Sequence, residues 1–282
     1  MQRSVSSSKR WVWAWLPLGA LLLIASSLGA QGRSWGRGEG RYVEPIRFGL
    51  PEQRTGFMFC RLQYQIVMRF PSGYGWSTDY PRSDRNFMTR LPQLTSAGVT
   101  KWSDGEIGHA VVQPTDPNLF HCPFVFASDP GTAGFSDEDV TQLRAYLLKG
   151  GFLWVDDFWG ENAWELWASQ IHRVLPEYKI QDLTTEHPLF NSFYALPNVP
   201  QIPSIQSWYD TGGRTQERNF DPGDPHMRAI INEQGRILVL MTHNTDIADG
   251  WERETDNEDF FYAFTARAYG VGVNVVLYAM SH

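Results

Sequence analysis

Carboxylates and one histidine collect where four apolar runs of the sequence end. Tyr64, Trp76 and Asp79 follow FMFCRLQY, and Asp129 follows CPFVFAS. Asp156 and Asp157 follow FLWV, and His243, Asn244 and Asp246 follow ILVLM, with Trp251 and Glu252 just beyond. In an open parallel sheet, ligands bind beyond the carboxyl ends of the strands, where loops and helix N-termini converge. Oxygen-rich side chains with aromatics at such an edge suit a sugar or a divalent cation. Carboxylates whose pKa values are pushed apart would also serve acid–base hydrolysis. Side chains alternate along a strand, however, so Asp156 and Asp157 cannot both face one ligand while the chain stays extended. Each also has a structural use, Asp157 as a cap near the helix at Glu161 and Asp156 as an acceptor of backbone amides. The ligand-binding candidates are Asp156, Asp157, His243, Asn244, Asp246, Trp251 and His187, and no catalytic residue is assigned. His187, in EHPL, either lines a pocket or fixes the turn before Pro188. Trp76, Trp159 and Trp251 lie in polar loops, where they would stack on a sugar ring or pack the loops down.

Motifs for other chemistries are absent. There is no HExxH, no paired CxxC and no acidic metal loop, and His109, His121, His172, His226 and His282 show no ligand spacing, so neither metal nor cofactor is expected. Neither GxSxG nor a phosphate loop occurs, which removes the usual serine hydrolases and NTPases. A net charge of −7 offers nothing systematic to neutralise phosphates, so nucleic acid is excluded as a partner. The two cysteines, Cys60 and Cys122, are too few for a disulfide scaffold. They form one bridge in an oxidising compartment, or remain two small buried thiols flanked by apolar strands.

The elements that must position these residues alternate in type. Phe57 to Tyr64 reads as a buried strand, and Asp84 to Leu94 as a helix after a polar, aromatic loop from Ser72 to Ser83. Cys122 to Ser128 is a second buried strand. Ser136 with Asp137, Glu138 and Asp139 makes a capping box with acids at the positive end of a helix dipole, and Gly150 supplies the left-handed stop. Phe152 to Val155 is too short for a helix and apolar throughout, which marks a central parallel strand. A second amphipathic helix covers Glu161 to Arg173, with Trp164, Trp167, Ala168 and Ile171 inward. Asn198 to Pro225, rich in proline and glycine, is a long irregular excursion. Met227–Asn232 and Arg236–Met241 pair across Glu233-Gln234-Gly235, Asp259 to Tyr269 is helical, and Asn274 to Met280 forms an apolar terminal helix. Strands alternating with helices specify an α/β fold with a mostly parallel central sheet.

The N-terminus reads as an export signal. Arg3, Lys9 and Arg10 precede a 15-residue apolar run from Trp11 to Ala25, which is followed by small residues to Ala30. The expected organisation is a Sec-type signal peptide over 1–30, a linker over 31–54 and one domain over 55–282. The protein would be periplasmic or otherwise extracytoplasmic, touching the membrane only if the N-terminal segment is kept as an anchor.

The ordered segments FMFCRLQY, TDYPRSDRNF, LFHCPFVFAS, LRAYLLKGGFLWVDD, EHPLF, GRILVLMTHNTDIADGWE and GVNVVLYAM resemble the bacterial family called domain of unknown function 4159, over about residues 55–281. GGFLWVDD and DIADGWE carry most of the likeness. The resemblance implies a single three-layer flavodoxin-like domain of the class I glutamine amidotransferase-like type. It does not bring that fold's catalytic centre. Amidotransferases need a cysteine on a tight strand-to-helix turn and a later His-x-Glu pair. Here Cys60 falls inside a strand, Cys122 precedes Pro123, and no His-x-Glu occurs. The expectation is therefore a non-catalytic exported module binding a small polar or carbohydrate ligand, or an envelope partner. The alternatives are a carboxylate-dependent hydrolase of an envelope glycan, using Asp156 or Asp157 with His243 or Asp246, and a structural envelope component.

Overall fold

A computed structural model describes residues 49–52, 55–70, 73–217 and 223–282. The expected signal peptide and most of the linker lie outside these residues.

The apolar runs become strands buried on both faces. β1 (Phe59–Leu62), β3 (His109–Val112), β4 (Phe124–Ser128), β6 (Phe152–Phe158) and β9 (Ile237–His243) are buried along their whole length. They join β8 (His226–Ile231) and β7 (Ile180–Asp182) in one seven-stranded sheet of order β3-β1-β4-β6-β9-β8-β7. Pairing is parallel from β3 to β9, and β8 runs antiparallel to both of its neighbours. A two-stranded pair, β2 (Gln65–Ile66) with β5 (Ala133–Gly134), ties the loop after β1 to the loop after β4.

Alternation divides the core into two layers. Phe59, Phe124, Phe126, Trp154 and Leu240 face α1 (Arg82–Leu94), α5 (Ile247–Glu252) and α7 (Ala266–Ser281). Cys60, Val125, Leu153, Val155 and Met241 face α2 (Asp137–Leu148) and α3 (Gly160–Val174). The result is a three-layer α/β arrangement around a mostly parallel mixed sheet. Two short helices are α6 (Glu258–Phe260) and α4 (Ile205–Asp210), and α4 corrects the reading of Asn198 to Pro225 as irregular throughout, because Ser204 caps a helical turn there by accepting from the Ser207 amide.

The capping box forms as expected. Ser136 Oγ accepts from the Asp139 amide, Asp139 accepts from the Ser136 amide, and Gly150 adopts φ 112°. Cys60 and Cys122 are joined in a disulfide, which decides between the two readings of those residues. In α3, Trp167 and Ile171 are buried as expected, whereas Trp164 and Ala168 are only half-buried.

Other expectations are corrected. β3 and β7 carried no strand signal. The two C-terminal helices are one continuous run, in which α6 passes through a π turn (Phe261–Thr265) into α7. Gly270 and Gly272 interrupt the apolar pattern there, but Gly272 serves close packing: a Cβ on it would lie 2.5 Å from the Phe87 ring. Glu258–Ser281 is long and apolar enough to cross a membrane, yet 61% of its apolar window is buried inside the fold, so it serves as a core helix.

Candidate functional site

The chain reverses its direction of travel across the sheet at β1, which lies between β3 and β4, and ligands bind at such switch points beyond the carboxyl ends. Among the described residues, the only non-glycine residues with positive φ are Asp79 (62°), Asp129 (47°), Asp157 (60°) and Asn244 (59°). Asp129 and Asn244 directly follow β4 and β9, Asp157 is the next-to-last residue of β6, and Asp79 lies in the loop between β2 and α1. Left-handed backbone disfavours side chains with a Cβ, and Asp and Asn tolerate it best. At Asp157 it has a direct effect. The β6–β9 register shifts between Val155 and Phe158, so strict alternation no longer separates Asp156 from Asp157.

A buried cation holds the loop containing Asp79. Arg61 pairs with Asp84 through two nitrogens and donates to the Thr78 carbonyl (3.0 Å), Ser128 Oγ (2.9 Å) and Ser83 Oγ (3.0 Å). The same loop lies against Asp129, whose Oδ2 accepts from the Gly75 amide (3.2 Å). A Cβ on Gly73 would come within 2.6 Å of that oxygen, so Gly73 permits the approach.

Asp156 and Asp157 have different surroundings. Asp156 accepts from Thr242 Oγ1 (2.5 Å) and from the Ala248 amide at the start of α5 (3.0 Å), so it holds β6, β9 and α5 together. Burial pushes its carboxyl up to about 7, against these bonds. Asp157 does not cap α3, whose N-cap residue Trp159 makes no side-chain cap bond. Instead Asp157 Oδ1 accepts from the Trp159 indole (3.1 Å).

Asp157 belongs to a carboxylate cluster. Asp157, Glu217 and Asp246 bring one oxygen each within 4.8 Å of one another, and Asp79, Asp246 and Asp249 do the same. Exposures of 7% for Asp157 and 2% for Glu217, Asp246 and Asp249 show that this is an interior cluster. Asp246 caps α5 by accepting from the Asp249 amide (2.7 Å), and Glu217 accepts from the Ser204 amide. Asp249 accepts from the Ile205 amide (2.8 Å) and meets Arg253 (3.3 Å). Burial first, and neighbouring carboxylates second, push Asp79, Asp157 and Asp246 well above the ordinary carboxylate range. Asp249 is pushed up to about 7 by burial, partly offset by Arg253.

The remaining candidates separate from this cluster. His243 Nδ1 faces the Arg228 guanidinium (3.1 Å) and so accepts from it, which leaves Nε2 to donate to the Gly160 carbonyl (3.2 Å). Burial lowers its pKa to about 4, so the ring is neutral with both nitrogens engaged. Asn244 Oδ1 accepts from the Gly160 amide and its Nδ2 donates to the Asp224 carbonyl, a loop-fixing role. Trp251 is not a loop aromatic. α5 carries it into the core, fully buried among Phe87, Phe126 and Trp154, and Trp159 is buried as well. Neither can stack on a ligand from outside. His187 accepts from the Leu189 amide beside Tyr278, and Tyr278 lies near Gly235 at the start of β9, the opposite edge of the sheet. The turn-fixing reading of His187 therefore describes it.

The chain matches the profile of a family described as a domain of unknown function, DUF4159, over residues 58–280. The chain belongs to this family. No curated protein gives a significant match to it. The DUF4159 domain thus spans every strand of the large sheet and all the carboxylates of the cluster. Asp157 and Asp246 were legible from the strand-end rule, and Asp79 was flagged beside them. Glu217 and Asp249 were missed: Glu217 lies in the irregular excursion, and Asp249 is positioned by a six-residue helix that leaves little periodicity.

Separately, a cavity of about 740 Å³ opens between the end of α1, the 194–200 loop and the start of α7, lined by Leu94, Leu196, Phe261 and Tyr269 among others. None of the cluster carboxylates lines it.

Proposed function

We propose that this DUF4159 domain is an exported binding module that takes a small polar ligand at the carboxyl edge of its sheet. The ligand presents hydrogen-bond donors or positive charge to Asp157, Glu217 and Asp246. The observation that carries this reading is the convergence of those three buried side chains within 4.8 Å of one another. Like charges in low dielectric are costly without a counter-charge or donors, which an incoming ligand supplies. Export through a Sec-type signal is supported by the Cys60–Cys122 disulfide, a bond suited to an oxidising compartment. A place in the class I glutamine amidotransferase-like superfamily is supported by the three layers and the parallel strands around β1.

The hydrolase alternative has less support where it relies on Asp156 and His243. Asp156 is held by Thr242 and Ala248, and His243 has both nitrogens engaged, which leaves neither poised to move a proton. The disulfide also removes the thiol that an amidotransferase would need. Contact with an envelope protein is favoured by the apolar cavity at Leu94 and Tyr269, and Leu196→Asp would abolish such contact while Asp157→Asn would not.

The test is a thermal-shift screen of the exported chain against sugars, glycan fragments, amino acids and polyamines. A ligand at a hundred times its Kd stabilises by about 2.7 kcal/mol. The expected result is a shift that Asp157→Asn removes. No shift with any member, or one that Asp157→Asn leaves intact, contradicts the reading.

A further inference from the structure

We infer that the carboxylates of Asp157, Glu217 and Asp246 form a binding site for a hard divalent cation of the calcium or magnesium class. This rests on the proposed reading of the same edge and names the chemistry that fills it. Oxygen donors about 2.4 Å from one ion lie no more than about 4.8 Å apart. Both triads meet that limit, and Asp246 is common to the two. The donor set holds neither imidazole nor thiolate, so zinc and copper are disfavoured and ions that prefer carboxylate oxygen are favoured.

Proximity of acids alone would not carry the inference. The independent observation is that oxygens within the cluster lack donors. Asp157 is 7% and Asp246 2% exposed, yet each has one hydrogen-bonded oxygen, taken by the Trp159 indole and the Asp249 amide respectively. The second oxygen of each accepts no hydrogen bond from the protein. Asp79 is part-exposed overall, but its Oδ2 is sealed from solvent and also has no hydrogen-bond partner. An interior carboxylate oxygen without a donor costs free energy that a bound cation recovers. Among the described residues, Arg61 is engaged by Asp84, and Arg253 meets the cluster only at Asp249 while also pairing with Glu252 and Asp256. The site escapes motif searches because its ligands come from three separated segments.

The bond from Asp157 to Trp159 supplies a probe, because a tryptophan beside the site sensitises terbium luminescence. The full exported chain is titrated with terbium, and then with calcium, magnesium and zinc as competitors. Binding of calcium and magnesium is measured directly by equilibrium dialysis. The expected result is saturable, tryptophan-sensitised emission displaced by calcium or magnesium in preference to zinc. Asp157→Asn and Asp246→Asn should each weaken binding by roughly tenfold or more, and Glu138→Gln, on α2, should leave it unchanged. Glu217→Gln, outside the regular elements, gives a third variant should an aspartate substitution impair folding.

No saturable uptake of calcium or magnesium by the wild-type chain at millimolar concentration overturns the inference, whatever the variants do. Uptake that survives all three substitutions overturns it as well. A chain that takes up no cation but binds an organic ligand in an Asp157-dependent way refutes the cation site and leaves the broader reading standing. Failure of both measurements removes both.

Discussion

Acid should destabilise this protein through His243 in an amount the structure sets. The ring is 3% exposed and sits between Phe158 and Trp164. Arg228 faces its Nδ1, the His226 ring stacks at 6.0 Å, and Asp182 lies beyond them on β7. Burial and the positive charge of Arg228 oppose protonation, lowering the pKa to about 4 against an ordinary 6.5. The folded state therefore binds the proton later than the unfolded chain. Stability from the neutral ring is complete above the unfolded value of 6.5 and falls as pH drops from there toward 4. At about 1.36 kcal/mol per pKa unit, the loss between pH 7 and pH 4 is about 3 kcal/mol. The cluster carboxylates act in the opposite sense, because their raised pKa values make protonation favour the fold. The total pH profile mixes the two, and the difference between wild type and His243→Gln isolates the imidazole. Urea denaturation of both at pH 7 and pH 4 should show wild type losing about 3 kcal/mol more than the variant. Nuclear magnetic resonance should place the imidazole titration near 4. Parallel pH curves for the two proteins, or titration near 6.5, would refute the reasoning.

Three further outcomes follow from the core. The Cys60–Cys122 bond closes a loop with sequence separation 62, so replacing both cysteines by alanine should cost roughly 4 kcal/mol in the chain-entropy account, measured by urea denaturation; unchanged stability would mean the bridge constrains nothing. Arg61→Leu leaves Asp84 charged and buried without its partner and should cost about 3–5 kcal/mol, most of it recovered in the double variant with Asp84→Leu. A double variant as unstable as the single one would place the cost in packing instead of charge. Trp251→Ala empties a core position and should cost about 3–5 kcal/mol in thermal or urea denaturation while leaving ligand selectivity at the carboxyl edge unchanged.

Legibility in the sequence followed physical strength. Ser136 to Asp139 announced α2 because a capping box is a local hydrogen-bonding pattern, and the run Phe152 to Val155 announced β6 because only a strand buried on both faces is apolar without alternation. β3 and β7 were not legible. One is four residues long and follows a polar stretch, and the other is three residues at the sheet edge. Gly270 and Gly272 broke the helical pattern of α7, and at Gly272 the close approach of Phe87 and Trp251 leaves no room for a Cβ. At the site, the strand-end rule found Asp157 and Asp246. It also drew in Asp156, whose partners Thr242 and Ala248 come from elements distant in sequence. Trp251 read as a loop residue because Gly250 and Glu252 flank it, and only tertiary packing shows that α5 turns it inward. Glu217 reaches the cluster from an irregular segment, where no periodicity reports which way a side chain faces.

The most direct test of the binding edge is a crystal structure of the protein with whichever polar ligand or cation stabilises it in solution. The expected result is density bounded by Asp157, Glu217 and Asp246. Density in the apolar cavity beside Leu94 and Tyr269, with the three carboxylates bare, would contradict it.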